Sequence, residues 1–180
     1  MKHEQCKLKT GLGLLFIFHF SFFITAAPVR AEIIDRILAV VSGDLITLSD
    51  LTAARDLGLQ TADGAADPTR AILSKLIDRE LVLAEVERYG PPEPSPEAID
   101  AEVQQVRARF ATTSAYADAL RRSGIDEAHL RETLRQDLRI RAYEDQRFAS
   151  AGDRRQALVD EWVASLRRRA TIANLYMVGR

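Results

Sequence analysis

Cysteine is almost missing from this chain: the one present, Cys6, stands near the start, so nothing after it can form a disulfide within the chain. Stability has to come from a buried core, because no covalent staple is available. Histidine is nearly as scarce, and beyond His19 only His129 occurs. One imidazole and no thiol cannot supply the nitrogen and sulfur ligand sets that zinc sites use. An excess of positive charge is missing too, since 25 basic residues face 26 acidic ones for a formal net charge of −1. Without a clustered basic face there is little to displace the counterions of nucleic acid. Long hydrophobic runs are limited to the stretch from Leu12 to Ile24. That is well short of the roughly 20 residues a membrane-spanning helix needs.

That short run has its own meaning. Lys2, Lys7 and Lys9 precede it and small residues follow it, the layout of an export signal. The expected cut falls after Ala31, which makes residues 1–31 a cleaved leader and the product an exported one. The leader carries Lys2, Lys7, Lys9 and Arg30 against Glu4, so its removal takes the formal charge from −1 to −4. Cys6 leaves with it and, lying before the apolar run, is not placed for lipid attachment; no stable membrane anchor is expected. Gly11-Leu12-Gly13 also belongs to the leader and is no phosphate loop.

The remaining residues, 32–180, have the size of one domain. Ile37 to Val41 is apolar at every position, which suits a strand covered on both faces. Ser42-Gly43-Asp44 offers a turn, and Leu45 to Leu48 a return strand, giving a hairpin over 32–48. The run Thr171 to Val178 is the natural third strand.

Between them, over 49–170, helical spacing dominates. Ser49 is the expected cap of a first helix ending near Gly58. Asp67 and Pro68 open a long second helix that stops at Gly90 before Pro91 and Pro92, and Ile72, Leu73, Leu76, Ile77, Leu81, Val82, Leu83 and Val86 make it the centre of the core. Ser95 and Pro96 open a third helix with the stripe Ile99, Val103, Val106, Phe110. A short fourth helix spans about Ser114 to Arg122. A fifth, capped by Asp126, carries Leu130, Leu134 and Leu138 and runs to about Phe148, and a last one spans roughly Asp153 to Ala170 around Trp162. The fold class is therefore mainly α, about six helices with a small antiparallel sheet formed by an N-terminal hairpin and a C-terminal strand.

The order of these pieces, with Leu76-Ile77-Asp78-Arg79-Glu80-Leu81, the Gly90-Pro91-Pro92 stop and the closing Trp162-Val163-Ala164-Ser165-Leu166-Arg167 … Ile172-Ala173-Asn174-Leu175-Tyr176, resembles the core module of the SurA-like periplasmic chaperones. The resemblance covers nearly all of Glu32 to Arg180. It departs from the family in one respect: only Ala149 to Glu161 separates Phe148 from Trp162, too short for the parvulin isomerase domains that family members carry there. An exposed connection is a common place for a domain to be gained or lost.

What the resemblance implies is an ATP-independent chaperone that binds unfolded outer-membrane or secreted polypeptides, needs no cofactor and is not an enzyme. Tyr89, Phe110, Tyr116, Tyr143 and Phe148, at helix ends where a crevice can open, are the candidate client-binding residues. Two other readings stand beside it: a parvulin-related prolyl isomerase with an unfamiliar site, and a non-catalytic subunit or adaptor of an envelope complex. His129 has no companion residues for the first, and acid pairs such as Asp78 with Glu80 or Asp160 with Glu161 lie among arginines as helix surface charges. The chain is expected as a monomer, or as a dimer that exchanges its last helix and strand.

Overall fold

The structure is a computed structural model and describes residues 35–176. The expected leader, its cleavage point, and Met177 and Val178 of the expected third strand lie outside those residues. Strands β1 (Ile37–Val41) and β2 (Asp44–Thr47) form an antiparallel hairpin. Ser42 and Gly43 join them with φ of 54° and 111°, the positive values by which a two-residue loop matches the right-handed twist of its strands. Strand β3 (Ile172–Asn174) lies antiparallel on the other side of β1, with Val40 opposite Ala173, in a sheet of order β2-β1-β3.

Two expectations change here. Leu48 is not the end of the return strand but the first residue of helix α1 (Leu48–Asp56), and its cap is Thr47 instead of Ser49. Thr47 Oγ1 accepts from the Asp50 backbone N–H (3.3 Å) and Asp50 Oδ2 accepts from the Thr47 N–H (2.9 Å). Three residues beyond Ser49 stands Thr52, which cannot return that second bond as Asp50 does. The backbone N–H of Ser49 goes to the Asp35 carboxylate.

The second change concerns β1, which is covered on one face only. Ala39, Val41 and Ile46 are buried against the helices, but the outer face leaves Ile37, Leu45 and Leu175 exposed at 39, 54 and 37%. The helical layer is built against the inner side, where the sheet residues share one cluster with α1 and α2.

Helix α2 (Pro68–Tyr89) begins where Asp67 Oδ1 accepts the Arg70 N–H and ends at Gly90, whose φ of 60° turns the chain into Pro91-Pro92. All eight of its expected core residues are buried. Helix α3 (Pro96–Arg107) is capped by Ser95, α4 (Thr113–Ser123) by Thr112, and α5 (Glu127–Arg147) by Asp126. A 3-10 turn, Gly152–Arg154, precedes α6 (Arg155–Arg169), so the last helix starts two residues later than its polar lead-in suggests.

The interior is divided. One cluster joins the sheet, α2, α6, one face of α1 through Leu51 and Ala54, and the end of α5 through Tyr143. The other joins the opposite face of α1, through Ala53 and Leu57, to Val103 and Val106 of α3, Tyr116 and Ala119 of α4, and Leu130 and Leu134 of α5. Helices α1 and α5 therefore serve both clusters. Along α5 the buried side shifts from Leu130 and Leu134 to Arg139 and Tyr143, leaving Leu138 only half-buried.

Candidate binding groove

Helices α2, α3, α5 and α6 enclose a groove of about 540 Å³ over the seam between the two clusters. Val82, Ile140 and Val163 come from the first cluster, and Leu59, Val106 and Leu134 from the second; together they form an apolar floor. The seam exists because α2 and α3 carry separate apolar stripes and α5 must turn from one to the other. Around the floor stand Lys75, Asp78, Arg79, Glu102, Arg109, Asp137, Arg141 and Glu144. An apolar base with a polar rim is the makeup of a peptide-binding cleft.

The rim charges are mostly spent within the chain. Arg79 is nearly buried and fully engaged: Nε donates to Asp137 Oδ1 (2.7 Å), Nη1 to Glu80 Oε1 (2.8 Å), and Nη2 to Gln136 Oε1 (2.9 Å) and the Thr133 carbonyl (3.2 Å). Burial alone would lower its pKa, but Asp137 and Glu80 more than offset this and hold it charged. Arg141 pairs with Glu102 at 2.9 Å, Arg167 with Asp78, and Lys75 with Asp63. Arg109 Nη1 donates to the carbonyls of Leu57 (2.9 Å) and Gly58 (2.7 Å).

A smaller cavity of about 140 Å³ lies on the other side of Arg79 and Asp137, reaching Leu45, Asp50, Glu80 and His129. Burial raises the pKa of Glu80, with Asp44 and Asp50 adding to the rise against the pull of Arg79. His129 sits in the first turn of α5 with Nε2 3.5 Å from Asp50 Oδ1. Among the described residues, no group of three or more His, Cys, Asp or Glu side chains is placed to hold a metal.

The five aromatic residues singled out from the sequence fall into two places. Tyr89, 61% exposed, stacks on buried Tyr143 with ring centroids 5.9 Å apart. Tyr143 and Phe148 both pack on Trp162, and Arg147 lies over all three of those rings, closest to Trp162 at 5.1 Å. Beside them Gly90, Pro91 and Pro92 border a second open hollow of about 530 Å³. Phe110 and Tyr116 are elsewhere, in the second cluster, packed edge to face at 5.7 Å with Tyr116 only 4% exposed. None of the five lines the groove over the seam. Its lining residues appear in the sequence as helix stripes, and only the packing of four helices reveals that part of each stripe is left open.

No family model matches the chain. A curated relative does: over 166 residues the chain is 28% identical to the chaperone SurA of Chromobacterium violaceum. The chain is similar to SurA. The match takes in 87% of this chain and 38% of that protein, so the chain spans well under half the length of its relative. The likeness extends over most of the helical core and is not confined to a single stripe. No helix among the described residues is long and apolar enough to cross a membrane.

Proposed function

We propose that this chain is an exported, ATP-independent chaperone-like protein of the periplasm that holds unfolded outer-membrane or secreted polypeptides, without catalysing a reaction on them. The observation that carries this reading is the groove over the seam, an apolar floor in a ring of charges most of which are paired within the chain. Such a site takes apolar side chains of an extended segment while its rim stays wetted, and it asks for no particular sequence. The similarity to SurA supports the same reading.

In this proposal the exposed ring of Tyr89, backed by Tyr143 and through it by Trp162 and Phe148, is a second contact for aromatic side chains of a long client. Phe110 and Tyr116 support the α3–α4 wall from inside. Weak contacts at two sites on one client add through effective concentration.

The test is light scattering of an unfolded β-barrel protein diluted from denaturant, with and without residues 32–180. Suppression at several-fold excess is expected, and a charge placed on the groove floor by Val163→Asp should abolish most of it. Full aggregation in the presence of the unaltered protein overturns the proposal. Turnover in a protease-coupled proline-peptide assay would favour the isomerase reading.

A further inference from the structure

One charge in the groove has no partner. Glu144 lies on α5 one turn beyond Ile140, half-buried in the groove lining with Val163, and its carboxylate forms no hydrogen bond or ion pair with the side chains or backbone of the described residues. Each cation within reach is already engaged. Arg141, on the same helix, is paired with Glu102 of α3, and Arg155, at the start of α6, is held by Asp145 at 2.6 Å. On the α2 side the lining charges are Lys75, Asp78 and Arg79, paired with Asp63, Arg167 and Asp137 in turn. Burial raises the Glu144 pKa; Arg155 opposes the rise at longer range and Asp145 adds to it. A half-buried carboxylate without a partner is costly, and it has the geometry to repay an incoming cation.

We infer that Glu144 makes the groove selective for extended segments in which a lysine or arginine is flanked by apolar residues. The apolar neighbours would cover Val82, Ile140 and Val163 while the cation meets Glu144 at the rim. The inference rests on the groove being the client site and adds to it a preference by charge. Unfolded segments with an acidic residue at that place would be disfavoured by the same carboxylate.

The experiment uses residues 32–180 and three labelled, unstructured apolar peptides that differ at one central position, carrying lysine, norleucine or glutamate, with binding read by fluorescence anisotropy at low salt. The lysine peptide should bind about three- to tenfold more tightly than the norleucine peptide, a typical range for one partly desolvated ion pair. In Glu144→Gln this ratio should fall to near one, whereas Glu87→Gln, the same charge change on the exposed side of α2 outside the groove, should keep it. Equal binding of the lysine and norleucine peptides to the unaltered protein, or a preference that survives Glu144→Gln, overturns the inference and leaves the groove reading standing. If none of the peptides binds, or if Val163→Asp leaves all affinities unchanged, the groove reading fails and the inference with it.

Discussion

At the scale of single residues, the buried and half-buried charges described include some that hold the fold and some that do not. Arg79 is the first kind, since its fork ties α2 to α5 through Asp137, Gln136 and the Thr133 carbonyl, a set of bonds that lysine could not reproduce. Glu144 is the second kind, and its effect on stability has a definite sign. Its pKa in the folded protein is raised above the ordinary 4.5, chiefly by burial. A carboxyl raised in this way favours folding while it is protonated, and that contribution is lost as pH rises through its folded value. At pH 7 the ionised group therefore works against the fold. Glu144→Gln should be more stable than the unaltered protein in urea denaturation at pH 7, with the difference shrinking as pH falls toward 4.5. No gain at pH 7 would mean that the carboxylate is solvated after all. The Asp78 and Glu80 pair needs no catalytic account, because Asp78 is bound by Arg167 and Glu80 by Arg79.

At the scale of elements, helix ends are set by local chemistry and helix faces by what they meet. The reciprocal bonds of Thr47 and Asp50 start α1 directly at the end of β2, with no loop to absorb an error. Thr47→Ala should lower stability by about 1 kcal/mol in urea denaturation. Ser49→Ala should cost less, because the backbone N–H of Ser49 that bonds Asp35 is kept and only the side-chain contribution to that carboxylate is lost. Gly124 closes α4 at φ 74°, and a Cβ there would stand 3.0 Å from Ser49 Oγ, so α4 meets α1 at a point where only glycine is unstrained. These ends explain how much could be read from the sequence. Asp67-Pro68, Ser95-Pro96 and Asp126 signal their helices because capping depends on residues within one turn, and the structure agrees at all three. The Thr47 cap was obscured by Ser49, an equally good capping residue two positions on; the acid at Asp50 is the signal that separates them. The open outer face of β1 was not legible, since an apolar run has the same appearance whether its second face is packed or bare. Nor was the groove, because the burial of Val106 and Leu134 by one another says nothing of the space that four helices leave above them.

At the scale of the whole molecule, the two clusters are too closely shared to act as separate domains. Leu51 and Ala54 of α1 face one cluster while Ala53 and Leu57 face the other, and α5 runs through both. Loss of either cluster would strip one side from two helices that the remaining cluster needs. Unfolding is therefore expected as one transition, with Trp162, 8% exposed in the first cluster, and the total helix content changing together. Coincident urea midpoints from tryptophan fluorescence and far-ultraviolet circular dichroism would bear this out, and a helix signal that falls well before the fluorescence would indicate a second cluster able to melt alone. The order β2-β1-β3 also bears on how the chain folds as it is delivered. β1 is the middle strand, yet one of its neighbours comes from Ile172–Asn174, near the far end of the sequence. A polypeptide emerging N-terminus first must keep that flank of β1 vacant, with its carbonyl and amide groups unclaimed, until almost everything else has emerged. Until then the nascent protein carries an adhesive backbone edge of its own, and for that interval it is itself an aggregation-prone chain.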